Sequence, residues 1–178
     1  LTERPRLFLY RHVADAAFAF DAGAVTEQLW DYVEAANSSC RHRAVAPPVD
    51  GLWGLAVYAY LAAALQWRRE HPAAGDALAI PLRILWEHKG LMARRLAFLE
   101  GGGFVDPALA LSGRARRLAA DAQRLRLVLL RGAAERRPEA IAAAIDGLSC
   151  LAVAECDLLG DTLDRRAAPR RAAPACAA

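Results

Sequence analysis

Lysine is nearly absent from this sequence, although basic residues are common. Lys89 is the only lysine among the 23 lysine and arginine residues, and the rest are arginine. Arginine binds phosphate and carboxylate groups through a planar fork, so this bias favours anionic partners. Codon bias is the alternative, because alanine, arginine, glycine and proline all have GC-rich codons and are abundant together. With a net charge of only +3, both explanations stay open.

A hydrophobic run long enough to span a membrane is also missing. The best candidate, GLWGLAVYAYLAAALQW from Gly51 to Trp67, has 17 residues, whereas a span needs about 20. Tyr58 and Tyr60 carry hydroxyls that would need partners in lipid, and charges with Pro72 end the run. We therefore predict a buried helix and no membrane span. Without an initial methionine or a signal-peptide pattern in LTERPRLFLY, we expect a fragment of a longer protein.

Cysteine is scarce, which excludes a disulfide scaffold and suits a reducing compartment. None of Cys40, Cys150, Cys156 and Cys176 forms a CxxC pair. We expect Cys150 and Cys156, six apart on an apolar helix, to be small core residues and not zinc ligands. Cys40 and His42 lie two apart in a loop, where thiol catalysis would require direct contact and a third orienting group. We interpret both as incidental surface residues.

Two other patterns could carry chemistry, but each has a simpler explanation. Asp157, Asp161 and Asp164 share one helical face, which could hold a metal or an acid–base pair but is more typical of a solvated face paired with arginines. The run Gly101-Gly102-Gly103 lacks the strand and the Lys-Ser/Thr that frame a phosphate loop. We therefore predict no catalytic residue, no metal and no cofactor, and the protein is interpreted as a non-enzyme.

Helical periodicity dominates the chain, and no window alternates long enough to predict a strand. We predict an all-α single domain over residues 1–164, with about six to eight helices around a long buried central helix. Residues 165–178, RRAAPRRAAPACAA, are predicted to be a disordered basic tail. The central helix should bury Trp53, Val57, Tyr60, Leu61 and Leu65. The predicted helices cover Leu7 to Phe20, Thr26 to Asn37, Leu52 to Arg69, Leu78 to Gly90, Leu91 to Leu99, a segment capped by Ser112, and Pro138 to Leu163.

A stripe of arginines is the main candidate for binding. Arg117, Arg124 and Arg131 recur every seven residues, opposite a core face of leucines, and such a stripe can follow phosphates. Asp121 can pair with two of these arginines, so an ordinary solvated face is the alternative. The candidate RNA-binding residues are Arg114, Arg117, Arg124 and Arg131, extended by Arg68, Arg69, Arg94 and Arg95.

Three segments share their pattern with a known viral family. The first is LYRHVADAAFAFDAGAVTEQLWDYV, and the second is VDGLWGLAVYAYL. The third covers residues 128 to 165. Together they resemble the C-terminal domain of the alphaherpesvirus tegument protein encoded by the twenty-first gene of the unique-long region. The matching residues are Leu55, Ala56, Val57, Tyr58 and Tyr60 in the second segment, and Val128, Leu129, Gly132, Gly147, Leu151, Ala154 and Asp157 in the third.

The resemblance implies a viral scaffold or adaptor for virion assembly and envelopment, found in the virion tegument and in host cytoplasm and nucleus. Its implied partners are the tegument protein of the sixteenth unique-long gene, RNA and a host ceramide transfer protein. Protein phosphatase 1 would bind through a region outside this sequence. The chain departs from the family after ILWEHKGLM. Either this member is shorter there, or residues are missing between about Met92 and Arg95.

Two further hypotheses come from the residues. One is a helical small-molecule-binding or enzyme-like domain, with a pocket surrounded by Trp53, Trp67, Trp86 and the pair Cys40 and His42. The other is a regulator core that dimerises through its last helix. A deep cavity with converging polar groups would favour the first, whereas a flat arginine surface would favour the scaffold.

Overall fold

Every regular element in the described part of the chain is helical. The computed structural model describes residues 20–37, 51–71, 79–134, 137 and 139–164. No strand occurs among them, which confirms the all-α prediction, but they hold five α-helices and not six to eight. The predicted helix over Leu7 to Phe20 lies outside these residues except for Phe20, and so does the predicted tail. The helices are α1 Ala22–Val33, α2 Ala56–Glu70, α3 Ala79–Gly101, α4 Leu111–Ala134 and α5 Glu139–Asp164, with a 3₁₀ helix over Pro107–Leu109.

The helix at the centre is α5, and not α2 as predicted. α4 packs along α3 on one side and along α5 on the other, and α5 also contacts α2 and α1. α2 buries Leu61 and Leu65 but leaves Tyr60 57% exposed and Trp67 53% exposed. The prediction for Tyr60 is therefore wrong, because the neighbouring Tyr58 takes the inward position. Trp53 and Val57 are only partly buried.

The N-termini of α1 and α2 differ from the predicted ones. Asp21 caps α1 by accepting a hydrogen bond from the amide of Ala24 at 3.0 Å, so α1 begins at Ala22, four residues before the predicted start at Thr26. Thr26 instead lies inside the helix, where its hydroxyl donates to the carbonyl oxygen of Ala22 at 2.8 Å. α2 begins only at Ala56, four residues later than the Leu52 of the prediction, after a turn at Gly54.

That turn holds the start of α2 against the end of α1. The amide of Leu55 donates to the carbonyl oxygen of Tyr32 at 3.0 Å. Gly54 has a φ of +55°, and a Cβ atom there would lie 1.8 Å from the same oxygen. Only glycine fits this backbone and this close approach.

α3 is one continuous helix of 23 residues, where the sequence predicted two short ones separated at Gly90. Gly90 sits inside the helix, because its flanking residues keep a single apolar face turned toward α4. The glycine run at its end does stop the helix, with Gly103 at a φ of +69°. Ser112 does not cap α4 as predicted; its amide donates to Oε1 of Glu100 at 2.9 Å, which ties α4 back to α3.

α4 and α5 pack closely against each other at two glycines. A Cβ atom on Gly132 would lie 2.1 Å from Cβ of Ala140, and one on Gly147 would lie 2.7 Å from a methyl carbon of Leu125. Both glycines belong to the segment that carries the viral resemblance. The predicted core stripe of α4 comprises Leu118, Ala122, Leu125 and Leu129; the first three are buried, and Leu129 is partly buried against the core.

No helix among the described residues combines the length and the apolar character needed to cross a bilayer.

Candidate functional site

The arginine stripe of α4 lies on the surface, as its spacing predicts. Arg117, Arg124 and Arg131 are exposed, while Leu118 and Leu125 face the core. At 1.5 Å per residue, each arginine is about 10 Å from the next along the helix.

Two of the four candidate arginines on α4 are already paired with carboxylates. Arg124 forms an ion pair with Asp121 three residues earlier. Arg114 is half-buried and forms an ion pair with Asp161 of α5. No acidic partner of Arg117 or Arg131 is found among the described residues. The two arginines without a carboxylate are therefore 14 positions apart in the stripe.

The other candidate arginines lie on different helices. Arg68 and Arg69 end α2, and Arg68 donates to the carbonyl oxygen of His71 at 3.2 Å. Arg94 and Arg95 are exposed on α3, on the rim of a groove described below. Because they line this groove on α3, Arg94 and Arg95 are considered separately from the stripe of α4.

A charged cluster lies in the centre of the protein. Lys89 of α3 is 1% exposed, and Glu155 of α5 is fully buried. Nζ of Lys89 donates to both carboxylate oxygens of Glu155, at 2.5 and 2.7 Å. The hydroxyl of Tyr58 donates to Oε2 of Glu155 at 2.7 Å, and that of Tyr32 lies 3.3 Å from Oε1. Nζ of Lys89 is also 2.7 Å from the Tyr32 hydroxyl and 3.4 Å from Nδ1 of His88.

The cluster joins four of the five helices through one carboxylate. Burial raises the pKa of both Tyr32 and Tyr58, and the negative charge of Glu155 raises it further. Both phenols therefore stay protonated and act as hydrogen-bond donors. Burial lowers the pKa of Lys89, whereas Glu155 opposes this change by favouring the ammonium form. We assign the pair as ammonium and carboxylate, because the two groups hydrogen-bond to each other and to the neighbouring tyrosine hydroxyls.

The His88 ring stacks on Tyr32 with 5.4 Å between ring centroids. Burial lowers the pKa of His88 to about 4, and the positive charges of Lys89 and Arg95 lower it as well. His88 is thus neutral at physiological pH. Because the Lys89 ammonium can only donate, Nδ1 of His88 accepts and Nε2 carries the hydrogen.

Sequence reasoning missed the cluster, although one signal was present. Lys89 lies on the core face of α3 between Leu85 and Met92, and Glu155 lies on that of α5 between Leu151 and Leu158. A lone charge at such a position is rarely buried unless it is paired. The enclosed amine is out of reach of a substrate, so the geometry indicates a structural role for the pair.

An apolar groove of about 650 Å³ runs between α1 and α3. Tyr32 and His88 line the groove and also contact Lys89 of the buried ion pair. Phe20, which lines the groove as well, packs against Phe98 with ring centroids 5.3 Å apart. The walls are apolar side chains: Val25, Leu29, Leu91, Met92, Leu96 and Leu99.

The groove is not the tryptophan-lined pocket of the small-molecule-binding hypothesis. Trp53 lines it, but Trp67 is on the exposed end of α2, where it stacks on His71 at 4.6 Å. Trp86 lies below the guanidinium group of Arg126, 5.7 Å from it. Of these three tryptophans only Trp53 lines the groove, so the groove does not match the predicted pocket. Cys40 and His42 lie outside the described residues.

The remaining chemical candidates are dispersed. Cys150 and Cys156 are both exposed, so the prediction that they are core residues is wrong. Asp157 is exposed, and Asp161 pairs with Arg114, as the arginine-pairing interpretation expected. Within the described ranges, no three His, Cys, Asp or Glu side chains are grouped so that they could hold a metal ion.

Comparison of the chain with protein-family models, with curated proteins and with solved structures gives no match.

Proposed function

We propose that this chain is a non-catalytic scaffold domain of a viral tegument, which holds a partner protein and a polyanion such as RNA on separate surfaces. The observation that supports it most directly is that one helical body carries two unlike surfaces. Exposed aromatic side chains lie on α2, and exposed guanidinium groups lie on α4. The resemblance to the tegument family supplies the candidate partners, the tegument protein of the sixteenth unique-long gene and RNA.

The α2 surface suits a protein partner. Tyr60 and Trp67 are seven residues apart, so they share one face of the helix, and more than half of each side chain is exposed. Tyrosine and tryptophan are the residues that contribute most often to binding energy at protein interfaces. Two such residues left on the surface of one helix favour an interface there.

The α4 surface suits a polyanion. Guanidinium groups that neutralise phosphates release counterions, so binding weakens steeply as salt rises. The ion pair between Asp121 and Arg124 does not prevent this, because exposed pairs three residues apart contribute only about 0.2–0.5 kcal/mol. Phosphate can displace Asp121 at little cost.

The polyanion surface is tested by fluorescence anisotropy of a labelled single-stranded RNA at several salt concentrations. A folded Arg117→Glu, Arg124→Glu, Arg131→Glu variant should bind more weakly, and the magnitude of the slope of log affinity against log salt should fall by about 2 for three lost phosphate contacts. The matching triple lysine variant keeps the charge and should keep the slope. Equal slopes in all three proteins would assign the stripe to an ordinary solvated face.

The protein surface is tested by co-purification with the tegument protein of the sixteenth unique-long gene from transfected cells. Tyr60→Ser with Trp67→Ser should reduce recovery of the partner at least tenfold, whereas Val153→Ser, on an exposed position of α5, should not. Failure of the unaltered chain to recover the partner would reject this part of the proposal. The arginine variant distinguishes the two surfaces, since it should retain the partner protein.

A further inference from the structure

The outer face of α3 carries large apolar side chains. The inner face of this helix already packs into the core through buried leucines such as Leu85 and Leu96. On the opposite side, four large apolar side chains stay between 45% and 70% exposed: Ile80, Ile84, Leu91 and Phe98. A surface helix normally has one apolar face and a polar one opposite it. A second apolar face therefore indicates a further contact.

The four exposed side chains form one row along the helix. Ile84, Leu91 and Phe98 recur every seven residues, and Ile80 is one turn before Ile84. At about 100° per residue, all four point within about 40° of one another, and the row is about 27 Å long. A seven-residue apolar repeat is the pattern by which one helix packs along another.

Two charges of opposite sign flank this row. Glu87 and Arg94 are also seven residues apart and exposed, and both lie to the same side of the apolar row. Glu87 forms an ion pair with Arg83 one turn earlier at 2.7 Å, and the Glu87 side chain remains 49% exposed. Both charges can therefore reach a molecule that covers the row.

The order of these residues along α3 is self-complementary about Leu91. Ile84 and Phe98 lie seven positions to either side of Leu91. A second, antiparallel α3, related by a two-fold axis at Leu91, would set Ile84 of one chain against Phe98 of the other. Glu87 lies four positions before the axis and Arg94 three positions after it, so the same axis brings these opposite charges together.

The charges favour this antiparallel pairing over a parallel one. Two-fold contacts are reciprocal, so the contact between Glu87 and Arg94 occurs twice in the antiparallel arrangement. A parallel second helix would set Glu87 against Glu87 and Arg94 against Arg94, and like charges brought together at an interface are unfavourable. The charge pattern therefore fits a second copy of the same chain in one orientation.

The α1–α3 groove adds apolar surface next to this row. Leu91 and Phe98 line the groove together with Val25 and Leu29 of α1. A helix packed on Leu91 and Phe98 would therefore extend its contact to α1. This favours the contact area of about 1,200–2,000 Å² that a stable interface needs.

We propose that two copies of this chain associate through the outer face of α3, in an antiparallel dimer with its two-fold axis at Leu91. The last helix is the weaker candidate, because Val153 is the one large apolar side chain that is exposed along Glu139–Asp164. The dimer goes beyond the proposed scaffold function and uses neither the α2 surface nor the stripe of α4. Each of those surfaces would be present twice in the dimer.

The test is sedimentation velocity of the whole chain over a hundredfold range of concentration. The unaltered chain should shift from monomer to dimer. Leu91→Glu sets two carboxylates against each other at the two-fold axis, so it should weaken the dimer at least tenfold. Val153→Glu is the matched control on α5 and should stay within twofold of the unaltered chain. Circular dichroism checks that both variants fold.

Charge reversal tests the antiparallel register. Glu87→Arg alone sets an arginine against Arg94, and Arg94→Glu alone sets a glutamate against Glu87. Each variant should therefore dimerise at least tenfold more weakly than the unaltered chain. An equal mixture of the two variants has opposite charges at both contacts and should form a heterodimer with an affinity within threefold of the unaltered dimer. Loss of the ion pair with Arg83 cannot explain this recovery, because that loss persists in the mixture.

Three results would overturn the proposal. The first is a chain that stays monomeric at every concentration, which would leave the outer face of α3 to another protein or to a different segment of this chain. The second is a dimer that Val153→Glu weakens and Leu91→Glu does not, which would place the contact on α5. The third is a mixture of the two charge variants that dimerises no better than either variant alone, which would exclude the contact between Glu87 and Arg94.

Discussion

Lys89 and Glu155 are 66 positions apart in the sequence, and the Lys89 amine lies 2.5 Å from Oε1 of Glu155 inside the protein. Two tyrosine hydroxyls meet the same two groups. The cluster fixes the positions of α1, α2, α3 and α5 relative to one another, because each of these helices contributes one side chain to it. Buried pairs of this kind are costly to break from one side, since the charge left behind has no partner.

Replacing Lys89 alone should destabilise the protein strongly. Lys89→Met leaves the Glu155 carboxylate buried without its cation, which costs about 3–5 kcal/mol. Adding Glu155→Gln removes that charge but keeps an acceptor for the Tyr58 hydroxyl. Urea unfolding should therefore show the double variant to be more stable than Lys89→Met. Strictly additive losses in this double-mutant cycle would mean that the two side chains do not interact.

The two tyrosines of α2 should respond differently to the loss of their hydroxyls. Tyr58 donates to a buried carboxylate, so Tyr58→Phe should cost about 1.5–3 kcal/mol. Tyr60 is 57% exposed, and Tyr60→Phe should change the free energy of unfolding by less than about 0.5 kcal/mol. Similar thermal midpoints for the two variants would show that Tyr58 is not the inward residue.

His88 should make stability depend on pH in the acidic range. Its pKa is lowered to about 4 in the folded chain, while an unfolded histidine titrates near 6.5. As pH falls below about 6.5, the unfolded chain takes up the proton first, so the stability due to neutral His88 is progressively lost toward pH 4. Above about 6.5 it is fully present.

His88→Phe keeps a flat ring beside Tyr32 and removes the titration. Urea unfolding between about pH 7 and pH 4 should show a smaller loss of stability in this variant than in the unaltered chain. The carboxylates are common to both proteins, so their contribution cancels in the difference. Parallel pH profiles would contradict the burial of His88.

Two glycines should respond to alanine in opposite directions. Gly54 has a positive φ and abuts the Tyr32 carbonyl, so Gly54→Ala should destabilise by more than about 1 kcal/mol. A Cβ atom on Gly90 meets nothing within 4 Å, so Gly90→Ala should stabilise α3 by about 0.5–1 kcal/mol. Thermal unfolding measures both. A stabilised Gly54→Ala variant would contradict the positive φ of Gly54 and its close approach to the Tyr32 carbonyl oxygen.

Local periodicity was enough to predict α5 and the inner face of α4. α5 is observed at Glu139–Asp164, one residue from the prediction at each end, because a long apolar stripe is a strong helical signal. Gly90 was misread as a helix end, since a glycine weakens a helix by only about 1 kcal/mol and tertiary packing outweighs it. Packing against α4 keeps α3 continuous.

The groove and the buried pair could not be predicted from local pattern. Lys89 and Glu155 each look like an isolated polar residue on an apolar face, and only the fold brings them together. The sequence alone does not show which of Tyr58 and Tyr60 faces inward. In the fold it is Tyr58, whose hydroxyl donates to the Glu155 carboxylate. The α1–α3 groove likewise depends on how far two helices separate, which no spacing within either helix encodes.

Because the one lysine of this chain is buried, chemical modification of Lys89 reports opening of the fold. Reagents that acylate ε-amines find no lysine on the folded surface of these 178 residues. An acyl group can reach Nζ of Lys89 only after the helices that enclose it move apart, because the side chain is 1% exposed. The fraction of labelled molecules, measured by mass spectrometry over time, would then report how often the helical body opens. Enzymes that conjugate proteins to lysine would face the same barrier.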